Sequence, residues 1–325
     1  MRAVTVTEAH RLAPDDIADP QHGPNDVLVR VSACGICGSD LHLMEAKLLP
    51  AGSVLGHEAS GVVEAVGTNV SGFLPGDHVA IQPFDPCGAC ESCVVGATQR
   101  CVDNALTTIG LGFRQGAFAE LIAVSPQMLV KLPADVPLDL ASLAEPLAVA
   151  YHGFERSRFS SGMTVGVIGC GPIGLSAIAL AKTLGAGRVW AADPNGFRQE
   201  LAARLGADEV GKSPRDADLV FECAGAPGTV DLAVGSVHGG GQVVLLAVNI
   251  KGDNVYPFTW VTKEAEIIGC LGYTIAEYAG CAQMIADGRI DVAPMVTRRV
   301  SFDETDEAFF ALLDGAPEGK VLVTP

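Results

Sequence analysis

The amino-acid sequence predicts an α/β protein in two unlike parts, a β-rich domain followed by a doubly wound parallel sheet. Three observations predict it. Residues 1–145 carry short β-like runs punctuated by glycine and proline. From about residue 147, strands alternate with longer stretches of helical periodicity, the pattern of a parallel sheet covered by helices on both faces. Between the first such strand and its helix lies a glycine-rich turn, Gly169-Cys170-Gly171-Pro172-Ile173-Gly174.

The elements follow in order. Met1–Thr7 alternates polar and apolar residues like a strand. Val27–Val31, Gly61–Val66 and His78–Ile81 continue the first domain, and close spacing of short strands marks a compact β-rich unit. In the second part Thr164–Ile168 is a strand and Ile173–Leu184 a helix with alanine and leucine at helical spacing. Arg188–Ala192 is a strand and Phe197–Leu205 a helix; Asp218–Cys223 and Gln242–Val248 are further strands. The tail, from about Cys270, is expected to hold helices near Tyr278–Asp287 and Glu304–Leu313. A last strand, Lys320–Val323, can return to the first domain. The expected division is 1–146, 147–269 and 270–325, the third segment rejoining the first.

A chain of 325 residues suits two domains better than one core, and a hydrophobic content of 49% is enough to fill them. No apolar run reaches the roughly 18 residues needed to span a bilayer. The start lacks a basic-then-apolar export pattern, so a soluble cytoplasmic protein is expected. The formal net charge of −17 argues against nucleic acid and anionic membrane as partners, because both are met by lysine and arginine.

Ten cysteines without an export pattern do not read as a disulfide framework. Cys87, Cys90, Cys93 and Cys101 form C-x2-C-x2-C-x7-C. Four thiolates saturate a tetrahedral zinc ion, which makes such a site structural. An iron–sulfur cluster uses similar spacing, and chance grouping of buried cysteines is the third reading; the tight grouping favours zinc. Cys170, Cys223, Cys270 and Cys281 read as small buried residues.

A second set is dispersed: Cys37 in Cys34–His42, His57 and Glu58 after Gly56, and Glu145 before Pro146. Alone, each says little. A lone histidine is more often a satisfied polar residue than a ligand, and Glu-Pro commonly opens a turn or a helix.

The glycine turn gains meaning from its place between strand and helix. Gly169, Gly171 and Gly174 let the turn tighten and let the backbone approach a pyrophosphate. Pro172 and Ile173 open a helix whose free N–H groups face the anion. Asp193 ends the next strand, 19 residues after Gly174. A carboxylate there accepts from both ribose hydroxyls and repels a 2′-phosphate, which favours NAD over NADP. Arg198 could lie over the adenine or form a surface ion pair. Cys223-Ala224-Gly225 and Ala247-Val248-Asn249 follow later strands and are expected to line the nicotinamide side.

Gly56-His57-Glu58-Ala59-Ser60-Gly61, continuing to Gly67 and Val70, resembles the zinc alcohol dehydrogenase signature G-H-E-x2-G-x5-G-x2-V. Cys34–His42 is similar to the motif that precedes it in that family, and the four-cysteine lobe follows in its usual place. On these segments, spread over nearly the whole chain, the sequence resembles the zinc-dependent medium-chain alcohol dehydrogenases.

The resemblance implies a GroES-like catalytic domain, a Rossmann NAD-binding domain, and two zinc ions per subunit. It implies Cys37 and His57 as ligands of a catalytic zinc. Glu145 stands where many relatives have a second cysteine, which looks like the sorbitol and butanediol (polyol) dehydrogenases. In those relatives Glu58 can coordinate, and the carboxylate matching Glu145 binds directly or through water. Asp40 resembles the carboxylate that orients a zinc-bound histidine; on its own it reads as a cap. Ser39 and His42 match positions that relay the substrate proton to solvent; on their own they read as a cap and a surface histidine. The implied reaction passes a hydride between a secondary alcohol or polyol and C4 of the nicotinamide.

Two rivals stand beside this reading. One is a zinc-free NADPH quinone or enone reductase of the same superfamily; the eight candidate metal ligands and Asp193 speak against it. The other is a zinc-stabilised protein that binds nucleotide without catalysis; the open ligand set and the relay pair disfavour it. Specificity is expected in the loops 42–57, 106–118 and 249–273. No basic cluster demands a phosphorylated or carboxylated substrate, so a neutral secondary alcohol, polyol or cyclitol is expected. Relatives of this kind assemble as homodimers or homotetramers.

Overall fold

Val27–Gly35 is one of two nine-residue strands of the first domain, and its alternate residues Val27, Val29, Val31 and Ala33 form a buried face. In the computed structural model, which describes residues 1–112, 114–249 and 252–325, this strand is the hub of a seven-stranded sheet. Glu58–Val66 pairs antiparallel along one edge of it. The other edge is shared by Leu121–Val124 and by the C-terminal strand Lys320–Val323, with Leu322 opposite Gly35. Beyond these lie His78–Ile81 and Leu129–Leu132 on one flank and Val296–Val300 on the other. A hairpin of Arg2–Val6 and Leu12–Asp16 stands beside the sheet.

The second half is a six-stranded, wholly parallel sheet. Its order is Glu209–Val210, Arg188–Ala192, Thr164–Ile168, Ala217–Glu222, Val237–Leu245, Glu266–Gly269. The chain leaves the central strand Thr164–Ile168 in both directions, so a crevice opens at the carboxyl ends of the strands where the order reverses. The helix Ala144–Arg156 crosses position 146/147 and joins the halves. It packs on the helices Pro172–Thr183 and Ile275–Ala286 and touches Glu58–Val66. One buried cluster accordingly runs from Leu132 through Leu147 and Val167 to Tyr278.

Several strands agree with the sequence to the residue, among them His78–Ile81, Thr164–Ile168, Arg188–Ala192 and Lys320–Val323. Others differ for local reasons. The strand expected over Gln242–Val248 is Val237–Leu245. Leu246 and Ala247 both donate their N–H groups to the Glu222 carbonyl, which turns the chain out of the ladder. The helix expected from Tyr278 begins at Ile275, because Thr274 and Glu277 form a reciprocal capping box. The helix Pro257–Lys263 and the edge strand Glu266–Gly269 are only seven and four residues long and bury no residue fully, so neither shows a period in the sequence. Cys170 and Cys281 are buried as expected, but Cys223 and Cys270 are only half-buried. Among the described residues no helix is long and apolar enough to cross a membrane. Of the expected specificity loops, Phe113, Ile250 and Lys251 lie outside the described residues.

Candidate active site

Cys37 is the N-cap of the helix Gly38–Glu45. Its backbone N–H donates to Asp40 Oδ2 at 2.9 Å, and its carbonyl accepts from the Asp40 N–H at 3.1 Å. This reciprocal cap fixes both residues. The other oxygen of the fully buried Asp40 stands 3.3 Å from Nδ1 of His57. On the far side of the ring, Nε2 is 3.2 Å from Ser39 Oγ, and the Cys37 thiol is within hydrogen-bond reach. Burial opposes the imidazolium, yet the charges and hydrogen bonds of Asp40 and Cys37 together push His57 well above its ordinary pKa. His42 lies one turn after Ser39 and is exposed.

Glu58 follows His57 and opens its strand. It does not stand free. Lys320 Nζ is 2.7 Å from Oε1 and 2.6 Å from Oε2, and both side chains are 1% exposed. Lys320 also donates to the Ile36 carbonyl at 3.0 Å. The two residues sit on strands separated by Val27–Gly35, and they meet across it above Gly35. A Cβ on Gly35 would lie 2.1 Å from Glu58 Oε2 and 3.1 Å from Lys320 Cδ, so only glycine leaves room for the pair. Burial lowers the lysine pKa, but Glu58 and then Cys37 outweigh it and hold the ammonium protonated.

Glu145 enters from the first turn of Ala144–Arg156 and is buried. Its Oε1 accepts from the Tyr273 hydroxyl at 3.0 Å. Burial and then the charge of Glu58 push its pKa up to about 7, against the opposing pull of His57, Tyr273 and Lys320. Tyr273 packs between Phe84, at 5.3 Å, and Tyr278, at 5.6 Å, forming an aromatic wall beside the carboxyl. Lys320 and Tyr273 were not legible as site residues: one reads as the start of an ordinary strand, the other as a loop residue.

Cys37, His57 and Glu145 offer a thiol, an imidazole already oriented by a carboxylate, and a buried carboxyl, a donor set that suits zinc with one position open. They converge less tightly than the cysteine lobe. Among the described residues the one group of donors all within 4.8 Å of one another is Cys87, Cys90, Cys93 and Cys101. In this arrangement Glu58 is turned to Lys320, and His57 Nε2 to Ser39.

The four sulfurs are held by their own loop. The N–H groups of Cys90 and Cys101's neighbour Cys87 point at sulfur, from Cys90 to Cys87 Sγ and from Cys87 to Cys101 Sγ, both at 3.3 Å. Backbone N–H groups of Val102 and Cys93 lower the Cys90 thiol to about 6, whereas burial and shared hydrogen bonds push Cys93 up to about 12. Loops that aim N–H groups at sulfur favour thiolate, the form a metal takes. The lobe also touches the other half: Thr98 Oγ1 accepts from the Ile275 N–H at 3.2 Å.

The glycine turn adopts the expected strand–turn–helix geometry. Gly169 has φ +90° and packs against Ala224, and a Cβ on Gly174 would lie 1.8 Å from the Gly169 carbonyl oxygen. Gly171 faces open space just before Pro172 and Ile173, which begin the helix. That is a cradle for a pyrophosphate. Asp193 accepts from the N–H groups of Cys170 and Asn195, each at 2.8 Å, which ties the strand end to the turn. Arg198 donates Nε to the Glu318 carbonyl at 3.3 Å. Ala247 contacts the Gly225 turn, and Asn249 bonds to the Gly252 carbonyl at 3.3 Å.

Comparison with known proteins accords with this geometry. Residues 23–134 match the alcohol dehydrogenase GroES-like domain, and residues 172–287 match the zinc-binding dehydrogenase domain. A 2-dehydro-3-deoxy-L-galactonate 5-dehydrogenase of Pseudoalteromonas atlantica is 33% identical over 99% of this chain and 96% of its own. The sorbitol dehydrogenase of Bacillus subtilis is 30% identical over 100% and 97%. Galactitol-1-phosphate dehydrogenase of Escherichia coli superposes with a TM-score of 0.92, at 30% identity and with all of both chains covered. Among solved structures alike in fold, one carries NADP and another NAD. With dehydrogenases matched along its whole length and both halves folded as theirs are, the chain belongs to the zinc-dependent medium-chain alcohol and polyol dehydrogenases, oxidoreductases that act on small molecules with NAD(P).

Proposed function

We propose that the chain oxidises a neutral secondary alcohol or polyol, or reduces the matching ketone, at a zinc site built from Cys37, His57 and Glu145, with NAD as the hydride carrier. One observation carries this reading. His57 is oriented by Asp40 on one side and faces Cys37 and Ser39 on the other, in a buried space that Glu145 also enters.

A zinc ion bound there would supply a Lewis acid that makes an alcohol more acidic. The protein's own groups do the rest. Asp40 holds the imidazole ring in place. The Ser39 hydroxyl, donor and acceptor at once, takes the alcohol proton. His42, exposed one turn later, hands it to solvent. Phe84 and Tyr273 form an apolar wall that suits the carbon skeleton of an uncharged substrate. Gly169, Gly171 and Gly174 shape the pyrophosphate cradle, and the carboxylate of Asp193 disfavours a 2′-phosphate. Ala247 and Asn249 border the nicotinamide side, and Arg198 the adenine end.

We assign Cys87, Cys90, Cys93 and Cys101 to a second, structural zinc, giving two ions per chain. The division 1–146, 147–269 and 270–325 fits this arrangement, with Ala144–Arg156 as the joint. The parallel sheet ends in the short strand Glu266–Gly269, and near it in sequence Tyr256, Phe258, Val261 and Leu271 are 68%, 78%, 74% and 69% exposed. Such an edge beside apolar surface supports a homodimer, or a homotetramer built as a pair of dimers. A cytoplasmic location is consistent with ten unbridged cysteines.

The test combines metal content with activity. The parent should hold two zinc ions per chain and reduce NAD with a panel of secondary alcohols and polyols. Cys37→Ala should hold one and turn over none. Full activity in that variant would refute the site.

A further inference from the structure

Two carboxylates, Glu58 and Glu145, approach the proposed metal site, and they are not held alike. We propose that Lys320 is a positioning residue that withholds Glu58 from the metal and leaves Glu145 as the carboxylate that completes the site. This rests on the metal-site reading given above.

The geometry points that way from three sides. Both oxygens of Glu58 lie within 2.7 Å of Lys320 Nζ, and the same nitrogen donates to the Ile36 carbonyl. The ammonium donates to Glu58 Oε1 and to the Ile36 carbonyl, while Oε2 is held by charge alone at 2.6 Å. Lys320 is set in a strand paired on both sides, with Val296–Val300 and Val27–Gly35, so its backbone cannot follow a carboxylate that swings away. Both side chains are 1% exposed, so separating them leaves two charges out of bulk water. Gly35 leaves the room the pair needs, since a Cβ there would stand 2.1 Å from Oε2.

Glu145 is freer. Tyr273 holds it through Oε1, which leaves Oε2 to turn toward a metal while that hydrogen bond persists. Charge balance agrees. A zinc ion with the Cys37 thiolate, neutral His57 and the Glu145 carboxylate is a neutral set, the Glu58–Lys320 pair is neutral beside it, and Asp40 adds one buried negative charge next to His57. Moving Glu58 onto the metal would give the ligand set a negative charge of its own beside Asp40 and take the buried ammonium's partner away, an expensive arrangement in a dry interior.

The experiment measures zinc affinity at the catalytic site by competition with a chelator, and the visible spectrum after cobalt(II) substitution, with folding checked by near-UV circular dichroism. Glu145→Ala should weaken the ion by at least about tenfold, whereas Glu58→Gln should leave the cobalt spectrum as in the parent. Lys320→Met should release Glu58. The double variant Glu145→Ala/Lys320→Met should therefore regain the affinity that Glu145→Ala loses, and adding Glu58→Gln should abolish the rescue. Lys320→Arg, which keeps the charge, should behave as the parent. The proposal alone is overturned if Glu58→Gln loses the metal and Glu145→Ala keeps it, or if the folded double variant binds no better than Glu145→Ala. If Cys37→Ala keeps the second ion, the site reading falls and takes the proposal with it.

Discussion

Asp40 holds two prospective metal ligands with one carboxylate: Oδ1 stands 3.3 Å from His57 Nδ1, and Oδ2 accepts the Cys37 N–H at 2.9 Å. Partners that orient a ligand in this way are worth about 10–100-fold in metal affinity. Asp40→Ala should therefore lower zinc affinity by about that factor and lower turnover with it. Chelator competition measures the first and NADH absorbance the second. A variant with the parent's affinity would show that the cap, not the metal, needs Asp40.

The buried carboxyl of Glu145 makes stability depend on pH in a definite sense. Its pKa rises from 4.5 to about 7 on folding, so the native state binds this proton more tightly than the unfolded chain does. The stability it contributes is present below about pH 4.5 and is lost as pH rises through about 7. Glu145→Gln stays neutral throughout. After chelation, this variant should melt at a higher temperature than the chelated parent at pH 8, with the gap closing toward pH 4.5. Parallel melting curves at all pH values would contradict the assignment.

The cysteine lobe should depend on its metal. Loss of a structural ion is among the few single changes that cost a protein about 4 kcal/mol or more. Cys93→Ser should remove one zinc per chain, lower the melting temperature and expose residues 87–101 to protease. Unchanged metal content would place the second ion elsewhere.

Gly174 tests the coenzyme cradle. A Cβ there would stand 1.8 Å from the Gly169 carbonyl oxygen, backbone that cannot step aside cheaply. Overpacking of this kind costs about 1–3 kcal/mol. Gly174→Ala should lose that much stability and bind NAD more weakly, as read by denaturant titration and by quenching of protein fluorescence.

Asp193 tests coenzyme choice. Asn has the same shape without the charge; its one carbonyl oxygen keeps one of the two N–H groups, of Cys170 and Asn195, that Asp193 accepts on its two oxygens. Asp193→Asn should raise kcat/KM with NADP relative to NAD. A ratio equal to the parent's would mean that discrimination lies elsewhere.

What the sequence carried plainly is local. The thiols of the lobe share one short loop, the glycine turn lies between one strand and the next helix, and Asp40 is three residues from the cysteine it caps. Each can be recognised because spacing alone encodes it. Lys320 and Tyr273 could not be found that way. Lys320 meets Glu58 across 262 residues of chain, and nothing in Lys320-Val321-Leu322-Val323 distinguishes a buried ammonium from the polar end of a strand. The Tyr273 hydroxyl reaches Glu145 over 128 residues from a loop without periodicity. Glu58 shows the same gap from the other direction: its place after His57 suggested a ligand, but the strand order of the sheet decides what it touches.

The helix Ala144–Arg156 packs on the coenzyme-binding half and carries Glu145 in its first turn, while Cys37 and His57 belong to the other half. A metal gripped by all three would straddle the seam between the halves. Any rocking motion that narrows or widens the crevice would then strain its coordination, so arrival of the coenzyme could be felt mechanically at the ion before any substrate reaches it.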